Sequence, residues 1–224
     1  MNLIMFDLDG TLTQTFAIDS DCYVQAVREI SGFGSISTDW AAYPHATDSG
    51  ILDELYRSRL GRAPTSEEVA AVRDRFVQLL EEAASSTPNA FAPLPGAQAF
   101  IDHLLAAGYA VSLATGGWQR SARLKIATSG LRLDALPAAF ADDALARRDI
   151  MLCSYQRAAQ AHGVTHFTSV TYLGDASWDA KASASLDYRF IGIGSGERAA
   201  RLRELGATVF ADYTDLRQLQ AALP

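Results

Sequence analysis

The stretch that most limits what this chain can become is Leu3-Ile4-Met5-Phe6-Asp7-Leu8-Asp9-Gly10-Thr11. Leu3 to Phe6 is apolar throughout, with nothing polar to alternate against. That pattern suits a strand buried on both faces, as in a parallel sheet. The run ends in two aspartates one residue apart. Side chains two apart on an extended backbone point the same way. Both carboxylates then share one small site at the strand's carboxyl end, where open α/β sheets bind their ligands. Such a pair is costly unless a cation holds it, and a hard ion such as Mg²⁺ suits oxygen ligands. An acidic turn at a strand end would read the same way, so the decision falls to the rest of the chain.

The 224 residues suffice for one large domain or a domain with a small companion, and 49% hydrophobic content is ample for a core. The net charge of −7 leaves no electrostatic footprint for nucleic acid. An anionic substrate therefore needs locally placed cations. Lys125 and Lys181 are the only lysines; every other cationic side chain is arginine. Cys22 and Cys153 have no motif spacing and read as buried thiols of a reduced, cytoplasmic protein. The opening residues carry no signal peptide, and no run is apolar enough to span a membrane.

After Thr13 the pattern turns helical. Asp19 or Ser20 can cap a helix to about Ile30, stopped by Gly32. A second helix is expected from about Gly50 to Leu60, ahead of Gly61. A third runs from Ser66 to about Ala84, with Thr65 and Glu68 as a capping box and Val69, Val72, Phe76, Leu79 and Leu80 on one stripe. Ser85–Asn89 reads as a linker. From Gly96 onward helices and strands alternate, with buried strands at Tyr109–Ala114, Thr168–Leu173 and Tyr188–Ile193, and weaker ones near Ala138–Ala141 and Thr208–Phe210. Such alternation predicts an α/β, doubly wound parallel sheet of Rossmann-like type. The all-helical insert after the first strand reads as a separate cap domain. The expected division is 1–13 with 92–224 as the core, and 14–91 as the cap.

Three expected strand ends carry polar groups: Asp7 with Asp9, then Thr115, then Asp175 with Asp179 close behind. In a parallel sheet these ends lie on one edge. Thr115 with the N–H groups of Gly116 and Gly117, opening a helix, is a ready anion site, although a plain strand-to-helix turn needs glycines too. Asp175 and Asp179 taken singly read equally well as a helix cap and a first-turn acid.

D-L-D-G-T at Asp7–Thr11, A-T-G-G at Ala114–Gly117 and G-D-x-x-x-D at Gly174–Asp179 resemble the first, second and fourth motifs of the haloacid dehalogenase-like hydrolase superfamily. The helical insert is similar to the C1-type cap of its phosphoglycolate phosphatase and β-phosphoglucomutase branch. The resemblance implies that Asp7 is a nucleophile forming an aspartyl-phosphate. It implies that Asp9 is the general acid/base, with its backbone carbonyl also reaching Mg²⁺. Thr115 and Gly116 would hold the phosphoryl group, with Gly117 beside them, while Asp175 binds Mg²⁺ with support from Asp179. An acid at position 9 argues for a phosphate rather than a halide substrate.

The third motif departs from the family, which places a Lys there; this chain reads Asp142-Asp143-Ala144-Leu145-Ala146-Arg147-Arg148-Asp149. Arg147 is the candidate replacement cation, although a first helical turn is a poor home for one. Lys125 is a lesser candidate, two turns into its helix. Substrate selection is expected from the cap loop Tyr43–Gly50, with His45, Thr47 and Asp48 able to reach the leaving group, and Trp118 beside the entrance; Thr47 and Asp48 read equally well as the N-cap of the second helix. The leading expectation is a Mg²⁺-dependent phosphatase of a small phosphorylated metabolite, acting as a monomer or small homo-oligomer. A β-phosphoglucomutase-like phosphomutase and a non-catalytic phosphate-binding or regulatory domain are the alternatives.

Overall fold

The computed structural model describes residues 1–224. Six parallel strands form one sheet in the order β3-β2-β1-β4-β5-β6: β1 Leu3–Phe6, β2 Ala110–Ala114, β3 Ala138–Ala139, β4 Val170–Gly174, β5 Arg189–Ile193 and β6 Thr208–Phe210. β1 is central. Leu3 pairs with both Ala110 and Val170, which explains why its four residues are apolar without alternation. Leu3 and Met5 enter the core on one face, Ile4 and Phe6 the core on the other. The strand order reverses beside β1, which makes its carboxyl end the topological switch point.

Three helices intervene between β1 and the rest of the sheet: α1 Phe16–Ser31, α2 Asp48–Leu60 and α3 Ser66–Ser86. Residues 14–91 add no strand to the sheet. The stripe on α3 is buried at Val72, Phe76, Leu79 and Leu80, and the Thr65–Glu68 capping box forms. α1 starts at Phe16, three residues before the acid expected to cap it, so Asp19 lies inside the first turn and is free to point elsewhere. The apolar faces of α1, α2 and α3 join the Leu3–Met5 side of the sheet core. Gln14 N donates to Ala92 O at 2.9 Å, so the chain leaves and re-enters the sheet layer through a paired ribbon.

The helices of the alternating region are α4 Ala97–Ala106, α5 Gln119–Ser129, α6 Arg147–His162, α7 Ser177–Ala184, α8 Gly196–Glu204 and α9 Leu216–Ala222. β3 is the most abbreviated strand, at two residues, because Pro137 precedes it and the chain turns again at residues 141–143. No helix is long and apolar enough to cross a membrane.

Candidate active site

Each predicted polar group is delivered by the end of a strand. Asp7 follows β1 and is 3% exposed, with its N–H donating to Leu173 O on β4. Thr115 follows β2, where its Oγ1 accepts the Gly117 N–H at 3.2 Å. Asp175 follows β4 and Asp179 lies in the first turn of α7, both buried. Carboxylate oxygens of Asp7, Asp175 and Asp179 lie within 4.8 Å of one another. Burial pushes all three carboxyls above the usual range, Asp179 to about 7.

Arg147, the first residue of α6, enters this cluster. Its Nη1 donates to Asp7 Oδ1 at 3.0 Å and to the Tyr172 hydroxyl at 3.3 Å, and its Nη2 donates to Ala46 O at 3.2 Å. Burial works against the guanidinium's charge, but Asp179, Tyr172 and Asp7 outweigh it and hold it protonated. Tyr172 is braced in turn by donating to Ala114 O at 2.7 Å. Gly116 is required at its position because an added Cβ would stand 2.5 Å from Arg147 Nη2 and 3.0 Å from Ala46 O. Arg148 is exposed and pairs only with its neighbour Asp149.

The residues present suit Mg²⁺. Asp179 Oδ2 caps α7 through the Ala176 N–H, while its Oδ1 is buried without a hydrogen-bond partner. Arg147 Nε is 3.2 Å from that oxygen, in a direction that makes no hydrogen bond. An orphaned oxygen among three buried carboxylates is a fitting donor set for a hard cation. The Asp9 side chain is not part of it. Its Oδ1 accepts from Thr15 Oγ1 at 2.5 Å and its Oδ2 from Lys125 Nζ at 2.6 Å.

Lys125 is fully buried and also donates to Asp19 Oδ1 at 2.5 Å. Burial disfavours its charge, yet Asp19, Asp9 and Asp48 together raise its pKa. Burial likewise lifts Asp19 to about 7. The sequence marks Lys125 as a lesser substitute for the third-motif cation; the structure sets it on Asp9 instead of Asp7. A signal was available, since Lys125 sits on the same stripe as buried Ala122 and Ile126, where a charge must find a partner. Tyr172 gave no such signal, because an aromatic in a buried strand reads as core.

The insert closes over the site. Asp48 N donates to Gly116 O at 2.8 Å, Trp118 N to Asp48 Oδ2 at 2.8 Å, Thr47 Oγ1 to Leu145 O at 2.6 Å, and Ser49 Oγ to Ala141 O at 2.7 Å. The cavity between insert and core, partly open to solvent, measures about 70 Å³ and touches Asp7, Asp9, Thr115, Gly116, Gly117 and Arg147 on the core side. Two expected site residues lie elsewhere. His45 is exposed and borders the neighbouring surface cleft, its Cβ turned toward Gly50. Trp118 is 1% exposed and packs behind the wall, with Nε1 donating to Ser49 Oγ at 2.7 Å.

Comparison with known proteins agrees with this geometry. The family model described as haloacid dehalogenase-like hydrolase matches residues 1–187. A phosphoglycolate phosphatase of Cereibacter sphaeroides is 26% identical over 204 residues, covering 90% of this chain and 89% of the relative. Among solved structures, a hydrolase from Pseudomonas syringae is similar with a TM-score of 0.76 at 21% identity, each chain covered completely (100%). A putative β-phosphoglucomutase from Bacteroides vulgatus is similar at 0.70 and 19% identity, covering 100% of this chain and 90% of the other.

Proposed function

The chain belongs to the haloacid dehalogenase-like hydrolase family as an enzyme of its phosphatase kind, and we propose that it hydrolyses a small phosphomonoester through an aspartyl-phosphate on Asp7, with Mg²⁺ as cofactor. The observation that carries this reading is the buried Asp7 carboxylate, held at 3.0 Å by Arg147 beside the Thr115–Gly116 turn. An Asp7 oxygen attacks phosphorus as the ester P–O bond breaks. Thr115 and the Gly116 N–H receive the phosphoryl oxygens, and Arg147 offsets the charge that builds there. Asp9 gives a proton to the departing alkoxide and later takes one from the water that frees Asp7. Both Asp9 oxygens accept hydrogen bonds in the closed form, so proton transfer needs one donor to turn away. Thr15 can do so, since its hydroxyl lies 2.6 Å from that of Thr13. Asp7, Asp175 and Asp179, with the Asp9 main-chain carbonyl, would hold Mg²⁺. When bound, the ion lowers the repulsion between the nucleophile and the phosphate and stabilises transition-state charge.

Residues 14–91 act as a cap that excludes water once closed. A phosphomutase reading is not favoured. Arg147 is the only basic side chain lining the cavity, so a second phosphate would meet no receptor. The cavity holds the equivalent of about five water molecules, which suits a small ester. We place the enzyme in the cytoplasm, in keeping with two free cysteines. The test is phosphate release from small esters with and without Mg²⁺, together with trapping of the phosphoenzyme. Turnover by Asp7→Asn at the wild-type rate would refute the mechanism.

A further inference from the structure

What the phosphate is attached to is decided by the far wall of the cavity, and the inference rests on the phosphatase reading above. That wall carries the aromatic side chains of Phe16, Tyr23, Trp40 and Trp178, with the carboxyls of Asp19 and Asp48 set among them. No basic side chain of that wall lines the cavity itself; Arg198, over the Phe16 ring at 3.8 Å from its centroid, is paired with Asp175. The guanidinium of Arg147 is taken by Asp7, Tyr172 and Ala46. The ammonium of Lys125 lies behind the wall, divided between Asp9 and Asp19.

Asp48 is the informative residue. It is 7% exposed, yet it lines the cavity. Its Oδ2 accepts the Trp118 N–H at 2.8 Å, whereas its Oδ1 has no partner in the protein. An unpaired carboxylate oxygen that keeps its opening to the cavity beside aromatic rings is arranged to receive a cation. Asp9, Asp19 and Asp48 have only one ammonium among them.

We propose that the substrate is the phosphate monoester of a small amino alcohol, whose ammonium group is received by Asp48 and Asp19 beside Trp40 and Tyr23. A carboxylate in the leaving group would instead bring a further anion against two acids. A hydroxyl would donate to Asp48 but leave the charge uncompensated.

The Mg²⁺-loaded enzyme is assayed with three esters of matched size: phosphoethanolamine, 2-hydroxyethyl phosphate and 2-phosphoglycolate. Their kcat/KM values should fall in that order, by about tenfold at each step. Asp48→Asn keeps a carbonyl oxygen for the Trp118 N–H and turns the free oxygen into a donor. It should shrink the first step to roughly twofold and raise phosphoglycolate relative to phosphoethanolamine. Calorimetric binding of the same esters to Asp7→Asn with Mg²⁺ should give the same order without turnover. Equal affinity for the first two esters, or a preference for phosphoglycolate, overturns the inference. If the binding order holds but no ester is hydrolysed, the failure falls on the phosphatase reading alone.

Discussion

Arg147 Nη1 stands 3.0 Å from Asp7 Oδ1, joining the first turn of α6 to the end of the central strand. A cation in a first helical turn opposes the helix dipole, so its placement needs compensation, which Asp7 and Asp179 supply. Arg147→Ala should lower kcat/KM by about 3 kcal/mol, roughly a hundredfold, with the fold retained. Arg147→Lys should recover part of the loss. Arg148→Ala should change the rate by less than about twofold, because its side chain is exposed. Steady-state kinetics on the three variants checks the ranking, and an unaffected Arg147→Ala would leave Asp7 without a cationic partner from the protein.

Gly116→Ala should mimic the loss of Arg147 without touching it. The new methyl would meet the Arg147 Nη2 and the Ala46 carbonyl, and the second of these is backbone and cannot turn away. A fall in kcat/KM of about tenfold to a hundredfold is expected, with Tm lowered by only a few degrees. A crystal structure of the variant with Arg147 still on Asp7 would contradict this account.

Lys125→Met should be the most destabilising of these changes, by about 3 kcal/mol, because it leaves the partly buried Asp9 and Asp19 facing each other without their ammonium. Adding Asp19→Asn should restore part of that stability, which is the coupling a double-mutant cycle measures by denaturant unfolding. Strict additivity of the two changes would mean that the three groups do not act together.

The metal-free protein should lose stability as pH rises from about 4 to 7. Asp19 and Asp179 are each raised from 3.8 to about 7, by burial first, so the folded state keeps protons that the unfolded state releases. Stability from such groups is complete below the unfolded pKa and is lost as pH climbs through the folded one. Calorimetry in the presence of a chelator should show wild-type Tm falling relative to Asp179→Asn across this window. Mg²⁺ should reverse the fall, since it binds the ionised form. Parallel curves for the two proteins would argue against a buried, protonated Asp179.

Much of the fold was legible because its determinants are local. The apolar run Leu3–Phe6, the Thr65–Glu68 capping box and glycines after helices, such as Gly32 and Gly61, each act within a few residues. The convergence of Asp7, Thr115, Asp175 and Asp179 was legible because a parallel sheet brings its carboxyl ends to one edge. Which acid partners Lys125, and the Tyr172 brace, were not, since they depend on side-chain direction across separate elements. His45 departs from expectation for a similar reason: loop 43–50 does dock onto the core, but through Ala46, Thr47, Asp48 and Ser49, which turns the His45 side chain outward.

The central position of β1 also governs how the protein is made. The strand that carries Asp7 is made before both of its partners, which begin at Ala110 and Val170. The insert can gather its three helices through nearby contacts while β1 still lacks both neighbours. Until the chain has been synthesised as far as Asp179, β1 lacks its β4 neighbour, and Asp7 has neither Asp175 nor Asp179 beside it. The acids that oppose one another in the finished site are therefore brought together late, when the cohesion of the rest of the sheet is available to hold them.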